Sequence, residues 1–116
     1  MKITNQQMVN FLNIVHGHKG ENGKLEGGII ARNIPRKLYS ALDLNLKALS
    51  AAADTYNKQL ADCKDDTAAV RELLNIEIEV VIQTVPEEVF DRMDESDKFD
   101  SLSGIEYSAL QFMITN

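Results

Sequence analysis

Tryptophan is missing from the 116 residues, aromatic side chains make up only 6% of them, cysteine occurs once and proline twice. With so few rings the buried surface must come from leucine, isoleucine, valine and alanine, which favours helical packing. The lone Cys63 excludes an intramolecular disulfide framework and makes a reducing cytoplasm the simplest setting. No apolar run approaches the roughly 18 to 20 residues of a membrane span, and residues 1–7 lack the apolar block of a signal peptide. The chain is therefore expected to be soluble, unexported and cytoplasmic, with no membrane contact. Basic side chains are also scarce, 12 Lys and Arg against 18 Asp and Glu, for a net charge of -6. That balance argues against general nucleic-acid binding, which needs a basic surface to neutralise phosphates. The length suits one modest domain over residues 1–116.

The charge is polarised along the chain. Residues 1–64 carry nine basic and five acidic side chains, a balance of +4, whereas residues 65–116 carry three and thirteen, a balance of -10. Three arrangements follow: pairing of the halves within one chain, head-to-tail pairing with a second copy, or an acidic face offered to a basic partner.

The pattern predicts an α+β fold that is predominantly helical. A long central helix is expected to pack with N- and C-terminal helices beside a small antiparallel sheet. Thr4 and Gln7 make a capping box, Ile3 and Met8 a hydrophobic staple, and Met8, Phe11, Leu12 and Val15 one apolar face of a first helix ending near His16 and Gly17. Glycines concentrate in residues 17–28, a loop or loose hairpin, and residues 25–31 read as a short strand with Gly27 and Gly28 as a bulge.

From Pro35 to about Lys64, Tyr39, Leu42, Leu46, Leu49, Ala53, Tyr56, Leu60 and Cys63 recur at spacings of three and four, a helix–helix seam. Such a helix would run roughly 45 Å, longer than a small domain is wide, so part of it is expected to meet another protomer. Asp66 or Thr67 can cap a shorter continuation through Leu74, although an unbroken helix also fits. Alternation at Ile76, Ile78, Val80 and Ile82 predicts a strand over residues 76–85, paired with residues 1–3, with residues 25–31 or with a second copy. After Pro86 come a turn or two of helix to Met93 and an acidic, mobile connection over residues 91–100. A last helix follows, capped by Ser103 and Glu106, with Ile105, Ala109, Leu110, Met113 and Ile114 on its apolar face.

Motifs of known chemistries are missing: the sequence has no nucleophile elbow, phosphate-cradling loop, dinucleotide fingerprint or paired-cysteine motif. His16 and His18 offer two metal ligands where zinc needs three or four. The carboxylates Asp91, Asp94, Glu95, Asp97 and Asp100 lack the glycine and closing glutamate of a calcium loop. Cys63 lies on the apolar seam and reads as packing. A non-enzymatic protein without cofactor or metal is expected. One cluster stands out. Arg32, Asn33, Arg36, Lys37, Tyr39 and Ser40 gather at the start of the long helix, where free amides and the helix dipole favour an anion. As ligand-binding residues, Arg32, Asn33, Arg36, Lys37 and Tyr39 would take a nucleotide or phosphate. The more ordinary use of the same charges is pairing with the acidic C-terminal half.

The opening residues Met1-Lys2-Ile3-Thr4-Asn5, the block from Ile34 to Ala41, the strand from Ile76 and the closing run from Ser103 to Ile114 together resemble a family of small, acidic, uncharacterised phage and prophage proteins of Gram-positive bacteria. The resemblance implies a phage-encoded accessory or anti-defence protein working in the host cytoplasm, and it carries no catalytic or ligand-binding residues with it. The expected function is binding of a host or phage protein, or sequestration of a signalling nucleotide, by a homo-oligomer. The alternative is a structural role in virion or tail assembly. A metal-dependent enzyme using His16 and His18 is a third reading.

Overall fold

The computed structural model describes residues 1–19, 25–26 and 28–115, the side chains of His18, Lys19, Leu25 and Glu26 excepted. The fold is α+β and predominantly helical, as the pattern predicts. Strand β1 (Lys2–Thr4) leads directly into helix α1 (Asn5–His16). The Thr4 hydroxyl accepts the Gln7 amide at 3.1 Å while the Thr4 amide donates to the Gln7 side-chain oxygen at 2.8 Å, so the expected capping box is in place. Met8, Phe11 and Val15 on the inner face are fully buried.

The hairpin expected in the glycine-rich region forms between β2 (His18–Lys19) and β3 (Leu25–Glu26), which pair antiparallel. The expected strand over residues 25–31 is shorter, because Ile29–Ala31 coil into a 3-10 turn that buries Ile29. Gly28 explains the turn. It passes so close to α1 that a Cβ there would lie 2.6 Å from the His16 carbonyl oxygen, which leaves room only for glycine. Gly27, the other half of the expected bulge, lies outside the described residues.

Helix α2 (Arg36–Cys63) extends 28 residues, about 42 Å at 1.5 Å per residue, and the molecule measures 46 Å along its longest axis. The helix therefore fits the length of its own fold, and the length argument for a second protomer does not hold. Of its seam, Leu42 and Leu49 are fully buried and Tyr56 nearly so, covered by α1 and by α3 (Thr67–Leu74), whereas Tyr39 is 46% exposed. The helix does break. Lys64 takes a φ of 52°, and Asp66 restarts the next helix by accepting the amides of Ala68 and Ala69 at 3.1 and 3.2 Å.

The strand expected over residues 76–85 is confined to β4 (Glu77–Glu79), and its partner is β1, in the register Lys2↔Glu79, Ile3↔Ile78 and Thr4↔Glu77. Because the pair is antiparallel, the passage of β1 into α1 after Thr4 sets where β4 begins, and the bonds that Val80 exchanges with Met1 close its other end. Beyond it, the buried Asn45 of α2 holds the Gln83 backbone, donating to its carbonyl at 3.0 Å and accepting its amide at 2.8 Å. Strand β5 (Val85–Pro86) then leads into α4 (Glu87–Glu95).

The last helix also corrects the expectation. α5 (Gly104–Ala109) ends five residues before Ile114, and Gln111–Met113 form a 3-10 turn. Strand β6 (Ile114–Thr115) pairs parallel with β5. That pairing draws the chain away from a helical path and buries Leu110 and Met113 completely, while Ile105, expected on the apolar face, is 78% exposed. Helix α5 leans on α1, and Phe112 meets Phe11 edge to face with ring centroids 5.6 Å apart.

Candidate functional site

The five residues expected to bind an anion divide into two groups. Arg32 lies just before α2 and points at α5, where its two terminal nitrogens donate to the two Glu106 carboxylate oxygens at 2.8 and 2.5 Å. This is a fork-to-fork pair in which both side chains are largely covered, 27% and 15% exposed. Glu106 is itself fixed by the α5 capping box, accepting the Ser103 amide at 2.9 Å. The hydrogen bonds from Arg32 hold the Glu106 carboxyl below the usual carboxylate range against the opposing effect of burial. Reciprocally, the bonds to Glu106 push the Arg32 guanidinium up. Asn33 is engaged by the C-terminal half too: its amide donates to an Asp100 carboxylate oxygen at 2.9 Å, its carbonyl accepts the Asp100 amide at 2.9 Å, and its side chain donates to the Lys98 carbonyl. The acidic connection expected to be mobile is thus tied to the start of α2, and α4 reaches two residues further into it than Met93, to Glu95.

Arg36, Lys37 and Tyr39 remain exposed on the first turn of α2, and among the described residues no ion pair reaches Arg36 or Lys37. The structure therefore separates the cluster. Its first two members hold the N- and C-terminal halves together, and the other three face outward.

A different concavity lies between α4 and the segment that opens α5. It encloses about 250 Å³ and is lined by Phe90, Met93, Leu102 and Tyr107 together with the carboxylates Asp91 and Asp94 and with Gly104. Its floor is rigid, since Phe90 and Met93 are buried and Tyr107 stands edge-on to Phe90 with centroids 5.6 Å apart. The Tyr107 hydroxyl donates to the Glu87 carboxylate at 3.1 Å, which fixes the ring at the cleft wall. Desolvation first, and that hydrogen bond second, hold the Tyr107 phenol above its ordinary range. Gly104 leaves open space where a side chain would project, as a Cβ there meets nothing within 4 Å. Carboxylates at the rim of an aromatic pocket suit a guanidinium or ammonium group, which gains both ion pairing and contact with the ring face.

Only part of this cleft is legible in the sequence. Phe90 and Met93, three apart on α4, form its apolar face, and Asp91 and Asp94, also three apart, run alongside. That double stripe was visible, but its partner wall, Leu102 to Tyr107, comes from a distant turn that only the fold supplies.

The remaining candidates are dispersed. His16 is exposed at the end of α1, the side chain of His18 lies outside the described residues, and Cys63 is half-buried against the core. Among the described residues no group of three or more His, Cys, Asp or Glu is placed to hold a metal ion, and no helix is long and apolar enough to cross a membrane. No protein-family model, no curated protein and no solved structure matches the chain.

Proposed function

We propose that this chain is a phage-encoded, non-enzymatic accessory or anti-defence protein of the host cytoplasm, and that it acts by binding a host protein through the cleft between α4 and α5. The observation that carries this reading is the cleft's composition: a buried aromatic and methionine floor rimmed by Asp91 and Asp94, within the half of the chain whose charge balance is -10. An arginine or lysine side chain on the partner's surface matches it in size and sign. The nucleotide version is the weaker one, because Arg32 is committed to Glu106 and Asn33 to Asp100 and Lys98, which leaves two exposed cations on one helical turn.

Gly104 provides the test. Because its Cβ position is open, Gly104→Leu places a bulky side chain in the lining of the cleft without displacing a neighbour, while Arg36→Ala with Lys37→Ala removes the exposed cations and leaves the Arg32–Glu106 pair intact. Calorimetric titration with an arginine-rich peptide and with a cyclic dinucleotide separates the two readings. Peptide binding that is lost in Gly104→Leu and kept in the double alanine variant is expected. Dinucleotide binding lost only in the double alanine variant would replace this proposal with the nucleotide one.

A further inference from the structure

Strand β4 belongs to a two-stranded ladder, so one of its edges faces β1 and the other faces away. The bonding pattern identifies the groups on the open edge. The Val80 amide donates to the Met1 carbonyl at 2.9 Å, the Met1 amine donates to the Val80 carbonyl at 3.1 Å, and the Asn5 amide donates to the Ile76 carbonyl at 3.0 Å. Directly opposed residues of an antiparallel pair alternate between exchanging both bonds and exchanging none. Ile78 and Val80, with the Ile76 carbonyl, therefore turn toward β1 and its continuation, while the Ile76 amide donates to the Leu73 carbonyl at 3.2 Å. Glu77 and Glu79, opposite Thr4 and Lys2, turn theirs outward. Among the described residues no hydrogen bond meets those outward groups.

The side chains beside this edge have a definite chemistry. Glu77, Glu79 and Val81 are exposed, Val81 by 79%, while Ile78, Val80 and Ile82 alternate with them toward the core. The open row has an end as well, because Asn45 satisfies the Gln83 amide and carbonyl. What remains among the described residues is a short template with unpaired backbone donors and acceptors, the exposed carboxylates of Glu77 and Glu79, the latter also accepting the Met1 amine at 3.0 Å, and an apolar step at Val81. A second copy is a poor occupant, since pairing β4 with β4 about a two-fold axis sets glutamates against glutamates, and like charges directly opposite destabilise a ladder.

We propose that the open edge of β4 takes up an extended, lysine- or arginine-bearing segment of a partner protein as an added strand. Main-chain bonds to Glu77 and Glu79 would supply affinity, and their carboxylates the preference for basic residues. The inference rests on the reading of the chain as a protein-binding molecule, yet it uses none of the cleft residues.

The experiment is a titration of nitrogen-15-labelled protein with a short soluble peptide alternating lysine and valine, followed by amide shifts and hydrogen exchange. Shifts and new exchange protection are expected at Glu77, Glu79 and Val81. Glu77→Pro deletes one outward donor and leaves every bond to β1 in place, and Glu77→Lys with Glu79→Lys reverses the flanking charge. Either variant, shown folded by circular dichroism, is expected to bind the peptide about tenfold more weakly, and Gly104→Leu to bind it as the unaltered protein does. Unchanged affinity in both β4 variants overturns the proposal, as does self-association through this edge that the peptide cannot displace. Binding abolished by Gly104→Leu and untouched by the β4 variants also overturns it while leaving the cleft reading standing, whereas the reverse result upholds it whatever becomes of the cleft.

Discussion

At the scale of single residues, two polar side chains hold distant segments together. Asn45 is fully buried and satisfies both backbone groups of Gln83. Truncation to alanine leaves the Gln83 amide and carbonyl without their partner and opens space in the core, so Asn45→Ala is expected to lower stability by about 1–3 kcal/mol in chemical denaturation. The second is Glu106, whose pair with Arg32 joins α5 to the entrance of α2. Glu106→Gln keeps the capping geometry and loses the charge, at an expected cost of about 1–2 kcal/mol at neutral pH. Because the bonds from Arg32 depress the Glu106 pKa in the folded protein, the unfolded chain takes up the proton first. The stabilisation is complete above the unfolded value of about 4.3 and is lost as pH falls through the lower folded value. Denaturation curves of the two proteins should accordingly converge on the acid side, and a gap that persists undiminished there would contradict the assignment.

At the scale of elements, the capping signals and the α2 periodicity were legible in the sequence because they are local: Thr4 with Gln7, Ser103 with Glu106, and the three-and-four spacing that buries Leu42, Leu49 and Tyr56. The strands were not. Residues 76–85 alternate along their length, but the ladder is only as long as the three residues of β1, and the last helix yields to a parallel pairing of β5 with β6 that no local pattern announces. The break after α2 was readable in Asp66 but not in Lys64, which adopts a φ of 52° that a side chain disfavours. Lys64→Gly relieves that strain, and thermal unfolding is expected to show a gain of about 1 kcal/mol. A loss of stability would mean that the lysine side chain itself supports the turn.

At the scale of the whole molecule, the polarised charge finds an internal use. Arg32 and Asn33 of the basic half are bound by Glu106, Lys98 and Asp100 of the acidic half, which is the more ordinary of the two fates open to the cluster. The apolar seam of α2 is largely covered by the chain's own helices, so the proposal of a homo-oligomer turns to the polarised charge. Head-to-tail pairing of that kind weakens as the Debye length shrinks, and sedimentation at low and high salt tests it: the average mass should fall with added salt, a monomer mass at both salt concentrations removes the homo-oligomer, and an oligomer mass unaffected by salt removes the electrostatic pairing. The two surfaces proposed for a partner are acidic, the cleft above Phe90 and the edge of β4. The cleft was half legible, since its α4 stripe stands in the sequence while the opposing wall is brought up by the return of the chain through Leu102.

The most direct test of the binding account maps where a single cationic side chain goes. Amide shifts recorded during titration with N-acetylarginine methylamide are predicted to saturate at Asp91, Asp94, Gly104 and Tyr107 and to vanish in Gly104→Leu. Shifts scattered over the acidic surface without saturation, or saturating changes that persist in that variant, would contradict it.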